Sequence, residues 1–115
     1  MENRLPLATW RQKLKRWFGS RRLWALEVTG NSMAPVIKDG DVVLYDPLSA
    51  AVICDIVFVS HPYMQSVRLI KRVREIGADG KLFLVGDNEP ESTDSRTLGW
   101  FSPSDLRGKV ICRLR

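Results

Sequence analysis

Ser32 and Lys71 are the pair in this chain whose types and spacing offer a nucleophile and a base. Ser32 sits in Gly30-Asn31-Ser32-Met33-Ala34-Pro35, a polar turn leading into a short helical turn expected over Ala34 to Ile37. A serine at such a start lies beside unsatisfied backbone N–H groups, which can stabilise an oxyanion. The bland reading of the same serine is a turn or cap residue. Lys71 follows 39 residues later, within Arg68-Leu69-Ile70-Lys71-Arg72-Val73-Arg74. Strand alternation puts Leu69, Lys71 and Val73 on one face and Arg68, Ile70, Arg72 and Arg74 on the other. A lysine between two apolar neighbours on a buried face is costly unless it sheds its proton, and a neutral amine is what a general base must be. The single histidine, His61, precedes Pro62 in an expected turn, so a Ser-His-Asp triad would rest on that one ring. A Ser/Lys couple is the simpler candidate, because lysine changes its pKa readily when desolvated.

A third polar constellation runs from Gly86 to Arg96, Gly-Asp-Asn-Glu-Pro-Glu-Ser-Thr-Asp-Ser-Arg. Read alone, it is an acidic surface loop of Asx and Ser turns. So dense a polar stretch beside a β-rich core can also supply a hydroxyl that orients a lysine and an Asp/Arg pair that fixes the loop.

Short β-prone runs must position these groups: Leu23 to Val28, Asp41 to Tyr45, Asp55 to Ser60, Val67 to Ile76, Lys81 to Val85 and Gly108 to Arg113. Asp39-Gly40, Asp46-Pro47, His61-Pro62, Asp79-Gly80 and Gly86-Asp87-Asn88 punctuate them. Asp79-Gly80 between two such runs marks a hairpin. Ser102 and Pro103 suit the N-cap and first position of a short helical turn reaching Leu106. The pattern gives a mainly β domain, two coiled sheets or a partly open barrel, preceded by one helix.

At 115 residues the chain is one domain, divided into a basic amphipathic segment, 1–22, and a β domain, 23–115. Ten of its eighteen Lys and Arg lie before residue 39 or in the last three positions, so the net charge of +5 is local. In residues 8–18, Trp10, Leu14, Trp17 and Phe18 recur at helical spacing between Arg11, Lys13, Lys15 and Arg16. Such a helix can lie in a membrane interface or dock on a partner or on the core. No run approaches the length of a spanning helix or a secretory h-region, which points to a soluble or peripheral, cytoplasmic protein. Cys54 and Cys112, with 57 residues between them and no CxxC, make a zinc site a poor reading. Each lies beside Ile or Val, where a buried free thiol in a reducing compartment is the usual occupant.

In this order, Gly30 to Pro35, Asp55-Ile56-Val57, Lys71-Arg72-Val73 and Gly86-Asp87-Asn88 through Arg96 resemble the boxes of the type I signal peptidase family of Ser/Lys proteases. The likeness spans residues 26 to 115 and is nearest to the nickel-type superoxide dismutase maturation proteases, on Ser60-His61-Pro62-Tyr63, on Gly86 to Arg96 and on Gly99-Trp100-Phe101-Ser102-Pro103. It implies the signal peptidase/LexA-like coiled β-sheet fold, with Ser32 as nucleophile and Lys71 as base. It further implies Ser92 as the hydroxyl that holds the lysine and Asp94 with Arg96 as the brace. The substrate would be a precursor protein, the nickel superoxide dismutase proprotein, with no cofactor, metal or nucleic acid required. Two departures stand out. Gly30 replaces a serine that completes the oxyanion hole in some relatives, leaving backbone N–H groups, chiefly that of Ser32. Cys54 stands where a glycine usually precedes Asp55, implying a less demanding backbone there or a local distortion.

Other readings are a membrane-peripheral signal peptidase of broader range, a self-cleaving repressor-type Ser/Lys protease, and a basic binding module gripping phosphate through Arg21, Arg22, Lys71, Arg72 and Arg74. The repressor reading needs a DNA-binding domain for which the segment before Ser32 is too short. The binding module leaves the ordered motifs unexplained.

Overall fold

The computed structural model describes residues 23–115, so the amphipathic helix expected over 8–18 and the segment 1–22 lie outside the described residues. Six strands form where the β-prone runs fall: β1 (Trp24–Glu27), β2 (Val42–Asp46), β3 (Ile56–Ser60), β4 (Arg68–Ile76), β5 (Leu82–Val85) and β6 (Leu106–Arg113). One short helix, α1 (Ser95–Leu98), and two 3-10 turns, Glu89–Glu91 and Pro103–Asp105, lie between β5 and β6. The second of these turns carries the Ser102 cap expected of it, with a complete capping box to Asp105. The segment Ala34 to Ile37 is a turn rather than a helix, closed by Ala34 N–H to Asn31 O and Ile37 N–H to Met33 O.

The strands make one antiparallel sheet in the order β1-β2-β6-β3-β4-β5, a single sheet rather than two, in keeping with the mainly β fold expected. Alternation gives this sheet two apolar faces. Ile56, Phe58 and Ile70 face a core completed by Val28, Met33, Val36, Ile37, Val43 and Val110. Val57, Val59 and Val73 face a second core with Leu82, Leu84 and Phe101. A single sheet suffices because the turn from Met33 to Ile37 covers one face, and Leu98 and Phe101 cover the other.

Local chemistry sets the connections. The β4–β5 hairpin turns through Asp79-Gly80, with Gly80 at φ +83° and Gly77 N–H donating to Lys81 O at 2.8 Å. The chain leaving β2 crosses β6 so closely that a Cβ on Gly108 would stand 3.0 Å from the Asp46 carbonyl oxygen. Before β3, Cys54 adopts φ +80°, the left-handed region that glycine occupies freely. The demanding backbone is therefore kept and a cysteine bears it. Its thiol is exposed, not buried as its apolar neighbours suggested, whereas Cys112 is buried in β6; both are free.

Candidate active site

Lys71 lies mid-way along β4 opposite Val57, and its side chain points into the second core between Leu69 and Val73, leaving the residue 2% exposed. Its Nζ donates to Ser92 Oγ at 3.0 Å. Ser92 Oγ in turn donates to Asp94 Oδ2. Asp94 is 1% exposed and takes a fork from Arg96, Nη2 at 2.6 Å and Nε at 3.0 Å, with Gly86 N–H at 2.8 Å. Lys71, Ser92, Asp94 and Arg96 thus form one hydrogen-bonded chain. It arises locally, because Asp94 also caps α1 and so fixes Ser92 and Arg96 two residues to either side.

The electrostatics follow from burial. Loss of hydration lowers the Lys71 pKa below the ordinary lysine value; Asp94 pulls it back up and Arg96 lowers it further. For Asp94, burial works to raise the pKa, but Arg96, the Ser92 hydroxyl and the Gly86 and Arg96 amides outweigh it and hold the carboxyl far below the usual range. Arg96 is raised by the same pairing. The carboxylate is consequently charged, and the amine above it is biased toward its neutral form.

Ser32 reaches this cluster through the end of β5. Its carbonyl accepts Asn88 N–H at 2.9 Å, and Asn88 Nδ2 donates to Asn31 O at 3.0 Å. A Cβ on Gly86 would stand 2.6 Å from the Ser32 carbonyl and would collide with Ser92 Oγ, so Gly86 is clasped between the Ser32 backbone and the Lys71 partner. Among the described residues the Ser32 hydroxyl makes no hydrogen bond and its amide has no acceptor. Ser32 also lines a cavity of about 250 Å³ with Leu26 to Thr29, Met33, Phe58 and Arg68 to Ile70.

The edges of this cavity are incomplete strands. Among the described strands β1 pairs with β2. β5 pairs with β4 back to Arg72 and no further, leaving residues 68–71 of β4 with β3 as their one neighbour. His61 stands apart from this chemistry: its Nδ1 accepts the N–H groups of Tyr63 and Met64, each at 3.1 Å, within its own loop.

Two contributors escaped the sequence reading. One is Gly86, noted there only as part of a polar segment. The other is a fork from Arg72 to Asp87, at 2.9 and 2.8 Å, which ties the loop after β5 to β4 and raises the Arg72 pKa. The signal for it was partial: counting back from Asp79-Gly80 sets Arg72 opposite Gly86, next to Asp87, and a bulge between Val73 and Glu75 shifts it to Val85.

The sequence profile described as Peptidase S24-like matches residues 9–99. The chain belongs to that family. This S24-like chain is also 31% identical over 109 residues to the mitochondrial inner membrane protease subunit 1 of Xenopus tropicalis, a match covering 75% of this chain and 65% of that protein. It therefore spans less than two thirds of the length of that curated relative. The family assignment agrees with the chain's mainly β sheet. Among its described residues no helix is long and apolar enough to cross a membrane, and no group of His, Cys, Asp or Glu side chains could hold a metal ion.

Proposed function

We propose that the chain is a serine endopeptidase in which Ser32 attacks the scissile carbonyl and Lys71 is the general base. The observation that carries this reading is the 2%-exposed Lys71 amine, desolvated and held by the Ser92 hydroxyl at 3.0 Å, in a fold where Ser32 is brought to the same glycine. Neutral Lys71 takes the Ser32 proton as the C–O bond forms; the new ammonium then protonates the leaving amide nitrogen as the C–N bond breaks. Water hydrolyses the ester by the reverse proton path. The Ser32 N–H is the oxyanion donor. The amine is bonded to Ser92 rather than to Ser32, so the couple tightens when peptide fills the cleft. Ser92, Asp94 and Arg96 keep the amine aimed.

Substrate enters as an extended strand. Among the described residues the 68–71 edge of β4 is left open beside the cavity, and a peptide laid along it gains main-chain hydrogen bonds. The likeness of Ser60 to Tyr63, Gly86 to Arg96 and Gly99 to Pro103 supports the N-terminal extension of a nickel superoxide dismutase precursor as that strand, in a cytoplasmic setting. Incubation with this precursor, followed by mass spectrometry of the new N-terminus, tests both levels. Cleavage should vanish in Ser32→Ala and in Lys71→Ala, each lowering kcat by several powers of ten as members of one catalytic unit. Near-normal turnover in Lys71→Ala would refute the couple. The identity with a membrane protease subunit favours a second reading, a broader precursor peptidase held at a membrane surface by residues 8–18. Binding of the full chain to anionic liposomes, released by Trp10→Ala/Trp17→Ala, separates the two.

A further inference from the structure

Ser60 ends β3 and is fully buried, yet its Oγ is shared by two guanidinium groups: Arg68 Nη1 at 3.0 Å from β4 and Arg107 Nε at 2.8 Å from β6. Like charges repel, and two cations brought to one hydroxyl oxygen lack the carboxylate that normally accompanies such pairs. Among the described residues no carboxylate lies within ion-pair distance of either arginine. Arg107 is not placed there by regular pairing. The β3–β6 register slips between Phe58↔Gly108 and Val59↔Leu106, making Arg107 the bulged residue, and bulges re-aim side chains. Arg68 lines the Ser32 cavity, with Glu27 as the acidic residue on the same wall.

We propose that Arg68 and Arg107 form an anion subsite at one end of the cleft, selecting peptide substrates that carry an acidic side chain. Arg68 precedes Lys71 by three positions on the strand edge that peptide would pair with, so the acidic residue falls about three or four residues from the scissile bond. Its carboxylate would take hydrogen bonds from the guanidinium N–H groups left over beside Ser60 Oγ, which both arginines hold, and the Gln65 carbonyl, which Arg68 Nη1 also holds. The proposal rests on the peptidase reading of the cleft.

A set of short peptides, each with one glutamate or its glutamine match at successive positions, tests it by fluorescence anisotropy on the full-length Ser32→Ala chain. Glutamate at one position should tighten binding about tenfold over glutamine, the size of one charge-assisted pair. High salt, Arg107→Gln and Arg68→Gln should each erase that gain, and Glu27→Gln should not. Equal binding of every Glu and Gln pair would overturn the subsite. So would an arginine variant that weakens both members of a pair alike, since that marks a packing role, which melting curves would show as lost stability. Hydrolysis by the wild-type chain is measured in parallel. Glutamate-dependent binding without hydrolysis by Ser32 would leave the subsite standing and sink the peptidase reading; hydrolysis indifferent to glutamate would do the reverse.

Discussion

A lysine held at 2% exposure is a stability liability as well as a reagent. Its folded pKa lies below the unfolded value near 10.5, so between the two values the unfolded chain binds the extra proton and stability rises with pH. The penalty is fully present below the folded pKa and disappears above 10.5. Lys71→Met should therefore melt a few degrees above the wild type at pH 7, with the gap closing as the pH approaches 10.5, while activity is lost; calorimetry across that range checks it. The rate profile follows the same proton. Activity should climb on the alkaline side of neutral, and loss of the pH-dependent limb in His61→Ala would move the base to His61. Ser92→Ala should be milder than loss of Lys71, lowering kcat with little change in KM, because the amine keeps its burial and loses its guide.

Elements succeed here through a few backbone positions. Gly86 ends β5 with no room for a Cβ, so Gly86→Ala should force Ser32 and Ser92 apart, costing about 1–3 kcal/mol and most of the activity. Cys54→Gly should act in the opposite direction. Relief of the left-handed backbone, less the greater freedom of glycine when unfolded, should gain roughly 0.5–1 kcal/mol in denaturant melts without changing turnover. These two positions show what could be read from residues alone. Alternation across Leu69, Lys71 and Val73 announced the buried lysine, and the hairpin at Asp79-Gly80 announced itself, because both are local patterns. The bulge that turns Arg107 toward Ser60 depends on the β3–β6 register, which joins residues 47 positions apart and leaves no mark in either segment. Likewise, nothing near Cys54 revealed that its left-handed geometry survives the change from glycine.

At the scale of the molecule, the Asp94–Arg96 fork ties the loop to the sheet and sets the acid limit of the fold. The Asp94 pKa is held below its ordinary 3.8, so its contribution is fully present above that value and is lost as pH falls through the folded value. Unfolding monitored from pH 5 downward should show a steep loss of stability below about 4. Asp94→Asn, already weaker at neutral pH, should show a shallower slope there. The strand order carries a different kind of consequence. Among the described strands β6, which follows the other five in sequence, joins β1-β2, which borders the Ser32 turn, to β3-β4-β5, which bears Lys71. On a ribosome, both halves emerge before the strand that unites them. A nascent chain would thus hold the proposed nucleophile and base on separate rafts until β6 joins them. On that assignment the order of synthesis would act as a safety catch, keeping the couple apart until the sheet is whole.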